Sequence, residues 1–139
     1  GYYQTNVYGP NTVSSCIPVF TNGFGNKMTS SRVIVDSSQN ITNVNHIETN
    51  TLAKNTVIVS NVFYIIQSNE SIILYNGVAP ALFTLPSIVI GKELIIMNDT
   101  VFTIGLLPII NDISGNGLII SANRSAILIG ANGNWNRVT

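Results

Sequence analysis

The sequence predicts an all-β protein with an oligomeric stem followed by a folded head, and three features carry that expectation. No segment of the 139 residues shows a convincing helical stripe. From Val62 onward, short apolar runs alternate with Asn- and Gly-rich breaks about every 8 to 12 residues, as in a sandwich or barrel. Before them, residues 32–61 (RVIVDSSQNITNVNHIETNTLAKNTVIVSN) are β-branched, rich in Asn and Thr, and nearly uncharged.

Three segments follow in chain order: 1–31, 32–61 and 62–139. The first opens on Tyr2, Tyr3 and Tyr8 and continues Gly-, Asn- and Ser-rich. Cys16-Ile17-Pro18-Val19-Phe20 reads as a short strand whose proline suits an edge position. Thr21-Asn22-Gly23-Phe24-Gly25-Asn26 reads as a turn, because Asn-Gly supplies the positive φ a tight turn needs. The tyrosines suit a sugar-stacking platform or packing between subunits. The second use fits better, since Tyr buries a large area while its hydroxyl finds a partner.

In 32–61 the larger apolar residues are Val33, Val35, Ile41, Val44, Ile47, Leu52, Val57 and Val59. From Ile41 their spacings run 3, 3, 5, 5 and 2, which match neither a helix nor strict alternation. Strands of two to four residues broken by polar corners fit better. A single chain of that width has no interior, so these residues need several copies wound about one axis to be buried.

The head carries the strand-like runs Val62 to Ile66, Ser71 to Tyr75, Ala81 to Leu85, Lys92 to Met97, Val101 to Ile104, Ile109 to Ile113, Gly117 to Ile120 and Ala126 to Ile129. Asn76-Gly77, Pro86, Gly91 and Asn98-Asp99 punctuate them. Leu94-Ile95-Ile96-Met97 has some helix propensity, but its β-branched surroundings favour a strand.

The stem motif, Val33-Ile34-Val35-Asp36-Ser37-Ser38-Gln39-Asn40-Ile41-Thr42-Asn43-Val44, resembles shaft segments of trimeric tail-fibre and receptor-binding proteins of phages and other viruses. It departs from them at Gln39, where Arg is more usual, and in being a single copy. The head resembles viral fibre heads and spike tips in Thr84-Leu85-Pro86-Ser87, Gly91-Lys92, Ile96-Met97-Asn98 and Gly133-Asn134-Trp135. The resemblance implies an intertwined homotrimeric stem and a compact antiparallel β-sandwich (jelly-roll-like) head that trimerises side by side. It also implies a virion-surface location and attachment to a host glycan or protein, with no catalytic residue. A purely architectural fibre or capsid-decoration subunit is the alternative.

Composition restricts the remaining classes. Charged residues make up 9%, against about 25% in ordinary domains, and the formal net charge is zero. A monomer so poor in charge tends to associate, which favours an oligomer independently of the motif. Lys27, Arg32, Lys54, Lys92, Arg124 and Arg137 are scattered along the chain and form no basic stripe for nucleic acid. No apolar run of about 18 residues suggests a membrane span, and the opening Gly1-Tyr2-Tyr3-Gln4 has no signal-peptide character. The missing initiator Met suggests a piece of a longer chain. The sequons at Asn40, Asn69, Asn98 and Asn123 are what chance yields in so Asn-, Ser- and Thr-rich a sequence.

No cofactor is expected, and the site candidates are few. Cys16 is the only cysteine, so an intrachain disulfide is excluded, and it reads as a small buried hydrophobe. His46 and Glu48 stand at i and i+2, and three copies of His46 on a trimer axis would offer an ion three imidazole ligands. Asn111 to Gly117 superficially resembles a calcium loop but lacks its spaced acids and final Glu. Phosphate cradling finds no support, because the Gly-rich turns precede strands. A glycan depolymerase needs two carboxyls about 5 to 9.5 Å apart. Glu93 and Asp99 would lie about 20 Å apart at the ends of one strand, and no long β-helix, the usual platform of such enzymes, is expected. Trp135 suits sugar stacking or, better, closure of the head. Candidate ligand contacts are Trp135 and the polar loop residues Asn76, Asn98, Asn111, Asn116, Asn132 and Asn134.

Overall fold

A computed structural model describes Cys16–Phe20 and residues 28–139, with side chains from Val33 onward. It is all-β, with no helix among the described residues. The chain forms two compact units, Gly1–Thr51 and Leu52–Thr139.

In the first unit, strands β1 (Cys16–Phe20), β2 (Met28–Val35) and β3 (Ile41–Thr42) form an antiparallel sheet in that order. Pro18 therefore sits on an edge strand, as its missing N–H requires. The Asp-Ser-Ser-Gln-Asn motif is the corner between β2 and β3. Asp36 Oδ1 accepts the backbone N–H groups of Ser38 at 2.8 Å and Asn40 at 2.9 Å, and Oδ2 accepts Asn40 Nδ2 at 3.0 Å. Gln39 takes a positive φ of 65° at this corner. The bonds to the Asn40 side chain and backbone, then the bond from Ser38, hold the Asp36 carboxyl below its ordinary range. Tyr2, Tyr3, Tyr8, the 21–26 turn and the side chain of Cys16 lie outside the described residues.

The second unit is a stack of three parallel coils, each with one strand in each of two facing sheets. The first coil holds β4 (Thr56–Val59) and β5 (Phe63–Ile65), the second β6 (Ile72–Tyr75) and β7 (Ala81–Thr84), the third β8 (Glu93–Asn98) and β9 (Ile104–Leu107). Strands β4, β6 and β8 pair in parallel, as do β5, β7 and β9. Beyond the third coil the stack ends in β10 (Asn111–Asp112), β11 (Ser125–Ala131) and β12 (Asn134–Arg137). β11 runs antiparallel to β8 and β12, while Ile120 bridges Ile104 on the other sheet. The β11–β12 turn is Asn132-Gly133, with φ of 50° and 73°, the positive pair a two-residue hairpin requires.

This arrangement is solenoid-like and corrects the expected antiparallel sandwich. The turn signals between runs are real, but within the three coils each turn carries the chain into the opposite sheet instead of back beside the strand it left. Partners consequently stand a whole coil apart: Thr56 faces Ile72, which faces Ile95. A second difference concerns the end of the predicted stem. Thr56–Val59 is a strand of the second unit, where Val59 is 5% exposed and Val57 packs on the same core. These two residues are buried within one chain.

Inward positions of the two sheets interdigitate into one core. Ile73, Tyr75, Leu94, Ile96, Ala126 and Leu128 face Phe83, Ile104, Leu106 and Ile120. Phe83 meets Tyr64 and Tyr75 edge-on, with ring centroids 5.8 and 5.5 Å away. Tyr75 donates its hydroxyl to the Ala79 carbonyl at 2.6 Å, passing where a side chain at Gly77 would stand. Gly130 is equally constrained: a Cβ there would lie 2.3 Å from the Val89 carbonyl oxygen. Gly130→Ala is expected to destabilise the second unit by about 1–3 kcal/mol through this overlap, read as a lower denaturant midpoint with an unchanged slope.

Candidate functional site

Two surfaces of the second unit differ from an ordinary polar exterior. The first is the outer face of the six-stranded sheet. Alternation along β4, β6, β8 and β11 turns one residue row inward and the other out, and here the outward row is also apolar. Ile72, Ile95 and Ile127 lie side by side across three strands, next to a row of Ile58, Leu74 and Met97. Ile58 is 68% exposed and the others are half-buried. Glu93 stands at the margin, held by Lys54 at 3.1 Å. The outer face of the three-stranded sheet repeats the pattern with Phe63, Ile65, Leu82 and Leu107. Phe63 is 75% exposed, so one large aromatic stands almost bare on the free edge of the stack.

The second surface is polar and lies where the coils end. Arg137 is 3% exposed and donates Nε to the Thr139 carbonyl at 2.8 Å. Its Nη1 reaches the carbonyls of Gly117 at 3.0 Å and Ile119 at 2.9 Å. One guanidinium thus gathers the loop before Ile120 and the end of β12. Beside it, Asp112 accepts the Ser114 hydroxyl at 2.6 Å and the N–H groups of Gly115 and Gly117 at 3.0 and 2.7 Å. The Ser114 and Gly117 bonds, and least of all the charge of Arg137, hold its carboxyl below the ordinary range. The loop that resembled a calcium site satisfies its acid with its own donors.

Two of the expected ligand contacts, Trp135 and Asn98, are buried, while Asn76, Asn111, Asn116, Asn132 and Asn134 are exposed. Trp135 is 2% exposed and its Nε1 donates to the Pro86 carbonyl at 2.9 Å, so it closes the core and is not available to stack on a sugar. Asn98 is buried as well. Its amide reaches the carbonyls of Phe102 at 2.7 Å and Ser121 at 2.9 Å, while its oxygen accepts the Thr100 hydroxyl at 2.7 Å. Asn111 donates to the Asn136 side chain, and Asn134 to the Asn132 carbonyl within the hairpin turn. Asn76 bonds the Val59 carbonyl through its backbone. Asn116 lines one hollow together with Arg124 and Arg137, and Asn98 borders an adjoining one.

The first unit leaves its apolar residues uncovered within one chain: Ile41 and Ile47 are 61% and 71% exposed. Leu52, expected with them, is bare at the start of the second unit, and Val35 and Val44 are also exposed, while Val33 is half-buried. His46 and Glu48 lie in a stretch without strands, so they share no strand face. Among the described residues no three His, Cys, Asp or Glu side chains cluster as a metal site would need.

Glu70 is the one buried carboxylate. It accepts the Tyr64 hydroxyl at 2.6 Å and the Gln67 N–H at 2.9 Å, which closes the corner between the first two coils. Burial, then the bond to Glu70, pushes the Tyr64 hydroxyl up to about 12. Lys92 lies near the same corner and donates to the Ser68 carbonyl; burial lowers its ammonium, partly opposed by the charge of Glu70. Compared with the models of known protein families and with curated proteins, the chain matches none.

Proposed function

We propose that the chain is a homotrimeric fibre module of a virion, whose second unit forms a tip that attaches to a host-surface glycan or protein. The observation that carries this reading is the apolar outer face on both sheets. Parallel strands with continuous runs such as Ile72-Ile73-Leu74-Tyr75 normally have both faces covered, and contiguous exposed apolar surface marks an interaction site. Two different apolar faces on one body suit a ring closed by rotation, in which each copy offers one face to the next. The stem-like exposure of Ile41, Val44 and Ile47, and the fibre resemblance of the two motifs, support the same reading.

Light scattering is expected to give about three times the 15.0 kDa chain mass. Leu74→Asp, on the outward row, is expected to yield a folded species of single-chain mass. A single-chain mass for the native protein would overturn the oligomer. Attachment is tested by binding of the native oligomer to host-surface preparations; a trimer that binds none of them leaves the architectural role. Release of reducing sugar from host polysaccharide would instead reveal a depolymerase. The three parallel coils fall short of the long right-handed β-helix that is the usual platform of such enzymes.

A further inference from the structure

At the capped end of the second unit, Asn116, Ser121, Arg124, Ser125, Arg137 and Thr139 line a hollow of about 360 Å³. That volume lies near the lower end for small-ligand sites, the size of one or two sugar rings. Every lining residue is polar, and no Asp or Glu side chain is among them.

The charges are unevenly satisfied. Of the cations with described side chains, Lys54 pairs with Glu93 and Lys92 donates to the Ser68 carbonyl. Arg137, in the wall of the hollow, forms no ion pair with an Asp or Glu side chain among the described residues; its donors go to main-chain oxygens of Gly117, Ile119 and Thr139. Arg124 makes neither a side-chain hydrogen bond nor an ion pair among the described residues. Asp99 shares an adjoining hollow with it and forms no ion pair there. The Ser121 and Ser125 hydroxyls and the Asn116 amide are likewise unengaged, whereas their backbone carbonyls at Asn116, Ser121 and Ser125 accept bonds from Arg137 or Asn98.

A free planar guanidinium beside hydroxyls and an amide recognises a carboxylate bidentately, with neighbouring sugar hydroxyls held by the small polar groups. We infer that this hollow binds the carboxylated monosaccharide unit of an acidic glycan, with the carboxylate on Arg124 and ring hydroxyls on Ser121, Ser125 and Asn116. The inference rests on the attachment reading and gives it a ligand class.

The test is saturation-transfer NMR of the native oligomer with glucuronic, galacturonic and N-acetylneuraminic acids, each against a neutral sugar and inorganic phosphate. At least one acidic sugar should bind, the neutral sugars at least tenfold more weakly. Arg124→Gln should weaken acid binding at least tenfold, and Arg124→Lys less, because it keeps the charge but loses the fork. Binding unchanged in Arg124→Gln, equal binding of neutral sugar, or phosphate binding as tightly as the acids would each overturn the inference. So would failure of all three acids. If host-surface preparations still bind the protein in that case, the attachment reading survives without this pocket.

Discussion

Replacing Arg137 with methionine is expected to destabilise the second unit by about 3 kcal/mol or more, the largest loss from any single cation. The side chain is buried, and its three shorter bonds tie Gly117, Ile119 and Thr139 to β12. Each carbonyl left without its donor costs about 1–3 kcal/mol. Opposing this, a buried charge is relieved, and apolar replacements of buried charges can be neutral. Here the first effect should win: Gly117 and Ile119 lie in a loop without strands, and Arg137 is the side chain that ties that loop to β12. Methionine matches the length of the stem, so the change reports hydrogen bonds more than packing. Chemical denaturation at matched protein concentration gives the size. Hydrogen exchange gives the place: the Ile113 and Ser114 amides, both bonded to the Arg137 carbonyl, should lose protection first. An unchanged midpoint would mean that the 113–119 loop is held by other contacts.

The strands of the second unit were legible because their residues obey one-dimensional rules. Ile72 to Tyr75, Ala81 to Leu85 and Leu94 to Met97 are apolar runs stopped by Asn, Gly or Pro, and strands form at each of them. How those strands pair was not legible in the same way. A turn such as Asn76-Gly77 reverses a hairpin or steps between the sheets of a coil with the same residues. The distinguishing sign lies in the runs themselves: Ile72-Ile73-Leu74-Tyr75 is apolar at every position, whereas a sandwich strand with one wet face alternates. The residues at the end of the 32–61 segment show the same limit. Val57 and Val59 have stem-like neighbours in sequence, and only pairing with β6 places them in the second core.

The sites were less legible still. Asparagine reads as a loop ligand because it is polar, yet Asn98 sits inward at a strand end and binds backbone on two other segments. Nothing local distinguishes it from Asn116, whose side chain makes no hydrogen bond among the described residues. Arg124 and Arg137 are thirteen positions and a hairpin apart in sequence, so the scatter of cations hid their convergence on one hollow. Charge sparsity was the usable signal. In a chain with six cations, any that lacks an acidic neighbour in space stands out, but that neighbour must be seen in three dimensions.

Trp135→Ala is expected to cost about 3–5 kcal/mol, the range for emptying a large aromatic site in a core. Its indole lies opposite Gly130 on the β11–β12 hairpin and donates to Pro86, in the segment that joins the second coil to the third. One side chain therefore fastens the terminal hairpin to the coils. Removing it opens a cavity and leaves the Pro86 carbonyl without its donor. Trp135→Phe separates the two: most of the ring area stays, the bond is lost, and about 1–2 kcal/mol should go with it. The same pair of variants distinguishes closure from sugar stacking. If Trp135 only closes the fold, Trp135→Phe should bind host surfaces as the native protein does wherever it is folded. A variant of native stability that has lost binding would return Trp135 to the contact surface, against its burial.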